Sequence, residues 1–408
     1  MPALSLEQPN ALAQTGYWNF WSARVLSTGS FQIVAVVIGW QLYGLTGRAF
    51  DLGLLGLSQF LPMLLLTIPA GHIADRYDRR RVVRACQWVE AATAAGLALA
   101  SVTGTISPAV IFAAAALIGA CRTFEMPTMA ALLPGVVGPA LLPQALALSA
   151  SAVQTATILG PATGGLLYLA GPGAAYGVVA LLYGLASLLV LALRTASLPP
   201  PREPVSLATL LSGFGFIRGR PIVLGAISLD MVAVLLGGAT ALLPIYAHDI
   251  LHTDALGLGM LRAAPAVGAL STSLVLARRP LRRHVGVKMF IAVVAFGLAT
   301  IVFGLSTSIP LSLAALVAMG ACDVVSVVIR STLVQLETPD AMRGRVSAVN
   351  SMFVGTSNQL GEFESGMTAA LFGTVPAVVI GGIGTVLVAL AWSRLFPALR
   401  RVDTMPGR

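Results

Sequence analysis

The stretch Gly71-His72-Ile73-Ala74-Asp75-Arg76-Tyr77-Asp78-Arg79-Arg80-Arg81 lies between two long apolar runs and decides how the chain is read. An apolar run, a tight turn, a burst of arginines and a second apolar run describe two membrane helices joined on the cytoplasmic side, because insertion holds Arg clusters there. Asp75 adds nothing to that topology. An acid at a helix end, followed at once by arginines, points instead to an ion pair or a helix-dipole contact.

The rest of the chain agrees with a membrane protein. Of 408 residues, 57% are hydrophobic and only 10% charged, and the mean hydropathy is +0.87. A soluble domain carries roughly 25% charged residues, so this chain lacks the polar groups to cover a water-facing surface. Apolar runs that each cross a hydrocarbon core of about 30 Å predict an all-α bundle rather than a β-barrel. The net charge of +9 comes from Arg in short loops and at the C-terminus and is topological, so no nucleic-acid partner is expected. Cys86, Cys121 and Cys322 fall inside apolar runs without metal-ligand spacing, which predicts packing residues and no metal site.

Punctuation by charge, Gly and Pro gives twelve spans, roughly 18–44, 50–74, 80–103, 107–130, 144–170, 173–195, 222–247, 255–277, 286–307, 309–335, 344–371 and 375–397. Loops near 75–84, 194–220, 278–288 and 330–345 hold most of the Lys and Arg, whereas the alternate loops are almost free of them. That alternation predicts both termini in the cytoplasm. The chain also repeats itself. Gly56 and Pro62 match Gly259 and Pro265, and Gly119-Ala120-Cys121-Arg122 echoes Gly320-Ala321-Cys322-Asp323, at an offset of about 200 residues. The expected organisation is a six-helix half over 1–195, a cytoplasmic connector over 196–221, a second six-helix half over 222–397 and a cytoplasmic tail over 398–408. Two pseudo-symmetric six-helix halves are a transporter architecture.

At this point the residues resemble a known family. Gly71 to Arg80 is similar to the G-x-L-A-D-R-x-G-R-R signature of the major facilitator superfamily, with Ile73 in place of Leu and Asp78 in place of Gly. Gly160-Pro161-Ala162-Thr163-Gly164-Gly165 resembles the G-P-x-x-G-G motif of drug:proton antiporters, and Arg122 resembles the membrane arginine of that group. Further matches, among them Ala241-Leu242-Leu243-Pro244 and Arg343-Gly344-Arg345-Val346, look like the bacterial branch of enterobactin, drug and macrolide exporters. The resemblance implies a secondary transporter of the bacterial inner membrane, acting as a monomer. It would export a small amphipathic compound, a drug or siderophore, by proton antiport with alternating access. The proton gradient is the expected energy source and no cofactor is expected. A lipid or metabolite exporter and an uncoupled facilitator of the same fold remain open. The different-class alternative is a membrane enzyme, which would need a set such as H-E-x-x-H that the sequence does not show, or a transporter-like sensor, for whose soluble domain the loops and tails are too short. ATP is not the expected direct energy source, because no G-x-x-x-x-G-K-[ST] loop is present.

Candidate site residues follow. Gly71, Asp75, Arg76, Arg79 and Arg80 are the candidate conformational latch, with Asp75 facing the start of the eleventh helix near Arg343 as the resemblance implies. Gly160, Pro161, Gly164 and Gly165 predict a bend with close small-residue packing. Charged groups inside spans are functional candidates, and of these Arg24, Arg122, Glu125, Asp230, Asp323 and Glu362 are selected for proton coupling or gating. Arg122 with Asp323 and Arg24 with Asp230 are candidate pairs, while Arg122 with Glu125, three residues apart on one helix, is the local alternative. Glu362 shares a polar stripe with Ser351, Gly355 and Asn358, either a cavity face or a helix seam. Gln32, Trp40, Gln154 and Asn358 are candidate cavity walls, with helix-end anchoring the competing role for Trp40.

Overall fold

The computed structural model describes residues 16–193, 207–279, 281 and 283–404, without the side chains of Ile68, Ala74, Asp75, Pro139, 207–211, Asp340 and Ala341. Twelve long helices lie among the described residues. They are α1 (Tyr17–Thr46), α2 (Ala49–Arg76), α3 (Arg79–Val102), α4 (Pro108–Gly138), α5 (Ala140–Tyr168) and α6 (Pro172–Leu191), then α8 (Pro221–Leu236), α9 (Ala255–Arg278), α10 (Val285–Leu305), α11 (Ile309–Leu336), α12 (Asp340–Phe372) and α13 (Thr374–Leu395). Short helices α7 (Leu207–Arg218) and α14 (Pro397–Arg400) complete the set. Ten of the long helices, with α8 extended to Ile250, are apolar enough to cross a membrane on their own composition. The other two, α3 and α12, carry much of the interior polar chemistry, which lowers their hydropathy. Leu181, Val102 and Leu371 are more than 70% exposed, as expected of a surface that faces lipid rather than water.

The repeat is visible inside each half. In the first, the third helix packs most extensively on the sixth and also on the fourth; in the second, α10 packs in the same way on α13 and α11. The last helix of each half begins after a left-handed glycine, Gly171 (φ +99°) or Gly373 (φ +92°), at the repeat offset. Only glycine adopts that backbone without strain.

Contacts divide the chain into two compact units, Met1–Gln41 with Leu61–Pro204, and Leu42–Phe60 with Val205–Arg408. The second unit therefore takes Leu42–Phe60, the facing ends of α1 and α2, which the sequence reading assigned to the first half. Glycines cause this. At Gly53 a side chain would collide with the backbone of Phe363 and Gly366 at 3.0 Å, and the Phe50 and Phe363 rings meet edge-on at 6.2 Å. The connector and the tail also gain structure. Part of the connector is helical: α7 packs on α12, with Gly213 against the Arg345 carbonyl. The remainder of the connector lies outside the described residues. The tail through residue 404 belongs to the second unit, because Asp403 accepts the His284 N–H at 3.0 Å, and the Val402 carbonyl that of Gly286 at 3.0 Å, at the start of α10. Helix N-termini leave such donors unpaired, which is why the Asp403 carboxylate and the Val402 carbonyl dock there.

The loop that opened the reading is a two-residue turn between α2 and α3. Asp78 is the N-cap of α3, accepting the Arg80 N–H at 2.9 Å and pairing with the Arg80 guanidinium at 3.4 Å. Partial burial works against its ionisation, but the Arg80 N–H and guanidinium outweigh it and hold the Asp78 carboxyl below the usual carboxylate range. Its folded value is thus depressed, so the cap contributes fully above the unfolded value of about 3.9 and is lost as pH falls through the folded one. Asp78→Ala is expected to cost about 1 kcal/mol and Asp78→Gly only a few tenths. Melting points in detergent at neutral pH check this ordering; an equal loss for both would remove the capping role. The departure from the motif glycine is therefore conservative, because Gly and Asp both serve at an N-cap.

Candidate functional site

The first unit encloses a polar cluster where α1, α3, α4 and α5 meet. Glu125 of α4 is 2% exposed. Its Oε1 accepts Ser27 Oγ of α1 at 2.6 Å and Gln87 Nε2 of α3 at 2.9 Å, and its Oε2 lies 3.5 Å from Arg122 Nη1. The Arg122 guanidinium also stacks on the Phe31 ring, 4.3 Å from its centroid. Arg24 and Thr28 of α1 face the same small cleft, of about 50 Å³, with Met126, Met129 and Val153 completing its apolar wall. Arg24 feels both Arg122 and Glu125, yet its Nε is enclosed without a partner among the described residues. Two guanidiniums thus face one carboxylate whose Oε1 accepts both hydrogen bonds and whose Oε2 accepts none among the described residues.

The second unit has its own cluster between α8, α10 and α11. Asp230 (9% exposed) forms an ion pair with Arg330 (6% exposed). Beside them Asp323 opens into a small cleft of about 20 Å³, shared with Asp230, Cys322, Ser326 and Phe296. Asp323, Ser326 and Arg330 fall three and seven residues apart, one face of α11. Elsewhere in this unit, Glu362 of α12 lies against Gly56 of α2, where an added side chain would meet its carboxylate at 2.8 Å. Arg262 of α9 is close enough to Glu362 for their charges to interact.

A family model described as a transmembrane secretion effector matches residues 9–406. The chain belongs to this branch of the major facilitator superfamily. Among curated proteins, the enterobactin exporter EntS of Citrobacter koseri is 28% identical over 391 residues, covering 94% of this chain and 92% of the relative. EntS of Escherichia coli O1:K1 is 27% identical with the same coverage. The fold matches a bacterial homolog of the human lysosomal transporter Spinster, with TM-score 0.77 and 14% identity over 97% of this chain and 99% of that one. It also matches the nucleoside transporter NupG, with TM-score 0.73 and 15% identity over 93% and 99%. This superfamily member is a multi-pass membrane transporter.

The superfamily motifs now have local geometry. In the G-P-x-x-G-G segment the backbone stays helical through Pro161, and the only non-helical break in the 61-residue run is at Gly138 (φ +70°). The glycines serve close packing: a side chain at Gly160 would strike Gln32 of α1 at 2.6 Å, and one at Gly164 the Ile33 carbonyl at 3.0 Å. Gly165 is buried on the same helix. In the loop motif, Arg79 Nη1 donates to the Ala131 carbonyl of α4 at 3.0 Å, and Arg80 Nη1 to the Leu193 carbonyl beyond α6 at 2.8 Å. Both arginines thereby fasten the start of α3 to its own half. Gly71 has open space around it and Arg76 is exposed, while the Asp75 side chain lies outside the described residues.

Among the other candidates, Arg122 takes the local partner Glu125. Glu362 sits in a helix seam, and Asn358 is exposed and donates back to the Val354 carbonyl of its own helix at 2.9 Å. The Trp40 ring packs on Tyr168 at 6.4 Å, and Gln32 rests its stem against Gly160. Gln154 is half-buried on α5. None of these four lines either of the two clefts above. Sequence reasoning missed Arg330, which the arginine-rich region 330–345 made look like a loop residue. Its spacing of seven from Asp323 is the signal that places it inside the helix.

Proposed function

We propose that this transporter exports a small amphipathic compound of siderophore or drug type across the bacterial inner membrane, in exchange for protons, as a monomer with both termini in the cytoplasm. The observation that carries the reading is the pair of enclosed arginine–carboxylate clusters, Arg122–Glu125 with Arg24, and Asp230–Arg330 with Asp323. Ionisable groups in membrane helices are expensive and are retained at ion and substrate pathways. Carboxylates held by arginines are suited to exchanging a proton for a counter-charge as their surroundings change. The name of the EntS relatives supports a siderophore as the cargo. Asp75, with Gly71, Arg76, Arg79 and Arg80, serves as the cytoplasmic latch of an alternating-access cycle, and Glu362 belongs to the gating set.

The test uses the purified chain in proteoliposomes with enterobactin as the probe and an imposed pH gradient. Enterobactin is expected to accumulate on the proton-rich side and to re-equilibrate when a protonophore collapses the gradient. Enterobactin flux that ignores the gradient would overturn the antiport reading, and absence of flux would overturn the siderophore reading.

A further inference from the structure

Glu90 lies in the interior of α3 and is 0% exposed, and neither of its carboxyl oxygens has a hydrogen-bond partner among the described residues. It sits in the seam between α3 and α6, the most extensive helix contact of the first unit. Tyr183 of α6 faces it with a hydroxyl that is likewise enclosed and unpartnered, as is that of Ser187 one turn further along. The other titratable or charged groups near Glu90 are Cys121, Arg122 and Glu125 of α4 and Cys86 on α3 itself. Arg122 supplies the positive charge among them, and its guanidinium is engaged by Glu125 and Phe31. Enclosed away from bulk solvent, an ionised carboxyl in this seam would cost far more than a neutral one.

Two side chains relate it to the cleft, with no hydrogen bond between Gln87 and Glu90 themselves. Glu125 borders the cleft, Gln87 donates to Glu125, and Gln87 and Glu90 are three residues apart on α3. The Gln87 amide oxygen is itself enclosed and unpartnered. Resting on the antiport reading above, we propose that Glu90 is a proton-loading site of this transporter. Loading forms one O–H bond on a Glu90 oxygen with a proton from water in the cleft. Unloading breaks that bond and returns the proton to water, with Arg122 released from Glu125 as the counter-charge for the carboxylate left behind.

The experiment is a substrate-free pH jump applied to proteoliposomes of the full chain on a solid-supported membrane, with infrared difference spectra recorded across the same pH step. The wild type is expected to give a transient charge displacement and a protonated-carboxyl C=O band that shifts in D2O. Glu90→Gln, which keeps a neutral side chain of the same size, is expected to lose both, while Glu337→Gln at the end of α11 keeps both. Glu90→Asp is expected to restore a carboxyl band at a shifted frequency, which a packing role would not produce. An unchanged signal in Glu90→Gln would overturn the assignment and leave antiport standing. No signal in the wild type would overturn antiport and this assignment together.

Discussion

Asp230→Ala is expected to destabilise the protein by about 3–5 kcal/mol, because it leaves the Arg330 guanidinium buried without its counter-charge. Asp230 on α8 and Arg330 on α11 are 9% and 6% exposed and form an ion pair. The apolar residues Leu229, Ala233, Ile329 and Leu333 flank them in one packed cluster. Such a pair contributes little net stability against apolar residues of similar volume, since removing two charges from water offsets their attraction. The double variant Asp230→Leu with Arg330→Met is therefore expected to recover most of what the single variant loses. Thermal unfolding in detergent for the four corners of the double-mutant cycle measures the coupling. A single variant within ~1 kcal/mol of wild type would mean that the arginine has another way to reach water or a carboxylate.

Gly320→Ala is the second large effect, and its sign is the test. Where α9 crosses α11, a side chain at Gly320 would run into the Pro265 carbonyl, and one at Gly268 into the Val317 carbonyl. These neighbours are backbone, which cannot rotate away, so the helices would have to separate. Overpacking of this kind costs about 1–3 kcal/mol, sometimes more. Gly96→Ala on α3, where nothing lies within 4 Å, should instead gain up to about 1 kcal/mol in helix propensity. Melting temperatures that move in opposite directions would establish the α9–α11 crossing as a backbone contact. Parallel shifts would contradict it.

The two variants also show which parts of the molecule could be read before it was folded. The Pro265 and Gly320 positions had been singled out as repeat marks, paired with Pro62 and Gly119 by their offset alone. The fold places them in one contact, because small residues let membrane helices approach closely. Arg330 shows the opposite. It fell both inside the expected span 309–335 and in the arginine-rich stretch 330–345, and the Asp230 carboxylate is what holds it inside. Asp78 was a departure from a motif until its hydrogen bond to Arg80 made it a cap. Glu90 is one more charged group inside a span, and nothing local in the sequence distinguishes an acid with a partner from one without.

What the sequence determined by itself is the membrane class, the twelve spans, the repeat and the family. Each of these rests on quantities summed along the chain: apolar length against bilayer thickness, the side on which arginines stay, and a fixed offset between matching residues. What only the tertiary structure decided is who faces whom: Arg330 on Asp230, Glu125 held by Ser27 and Gln87, Glu362 against Gly56, and Leu42–Phe60 joined to the second unit. Each residue along a helix turns the side chain by about 100°. The partner of a buried group therefore depends on how neighbouring helices are rotated and crossed, which is fixed by packing between segments far apart in the chain and carries no mark in either segment alone.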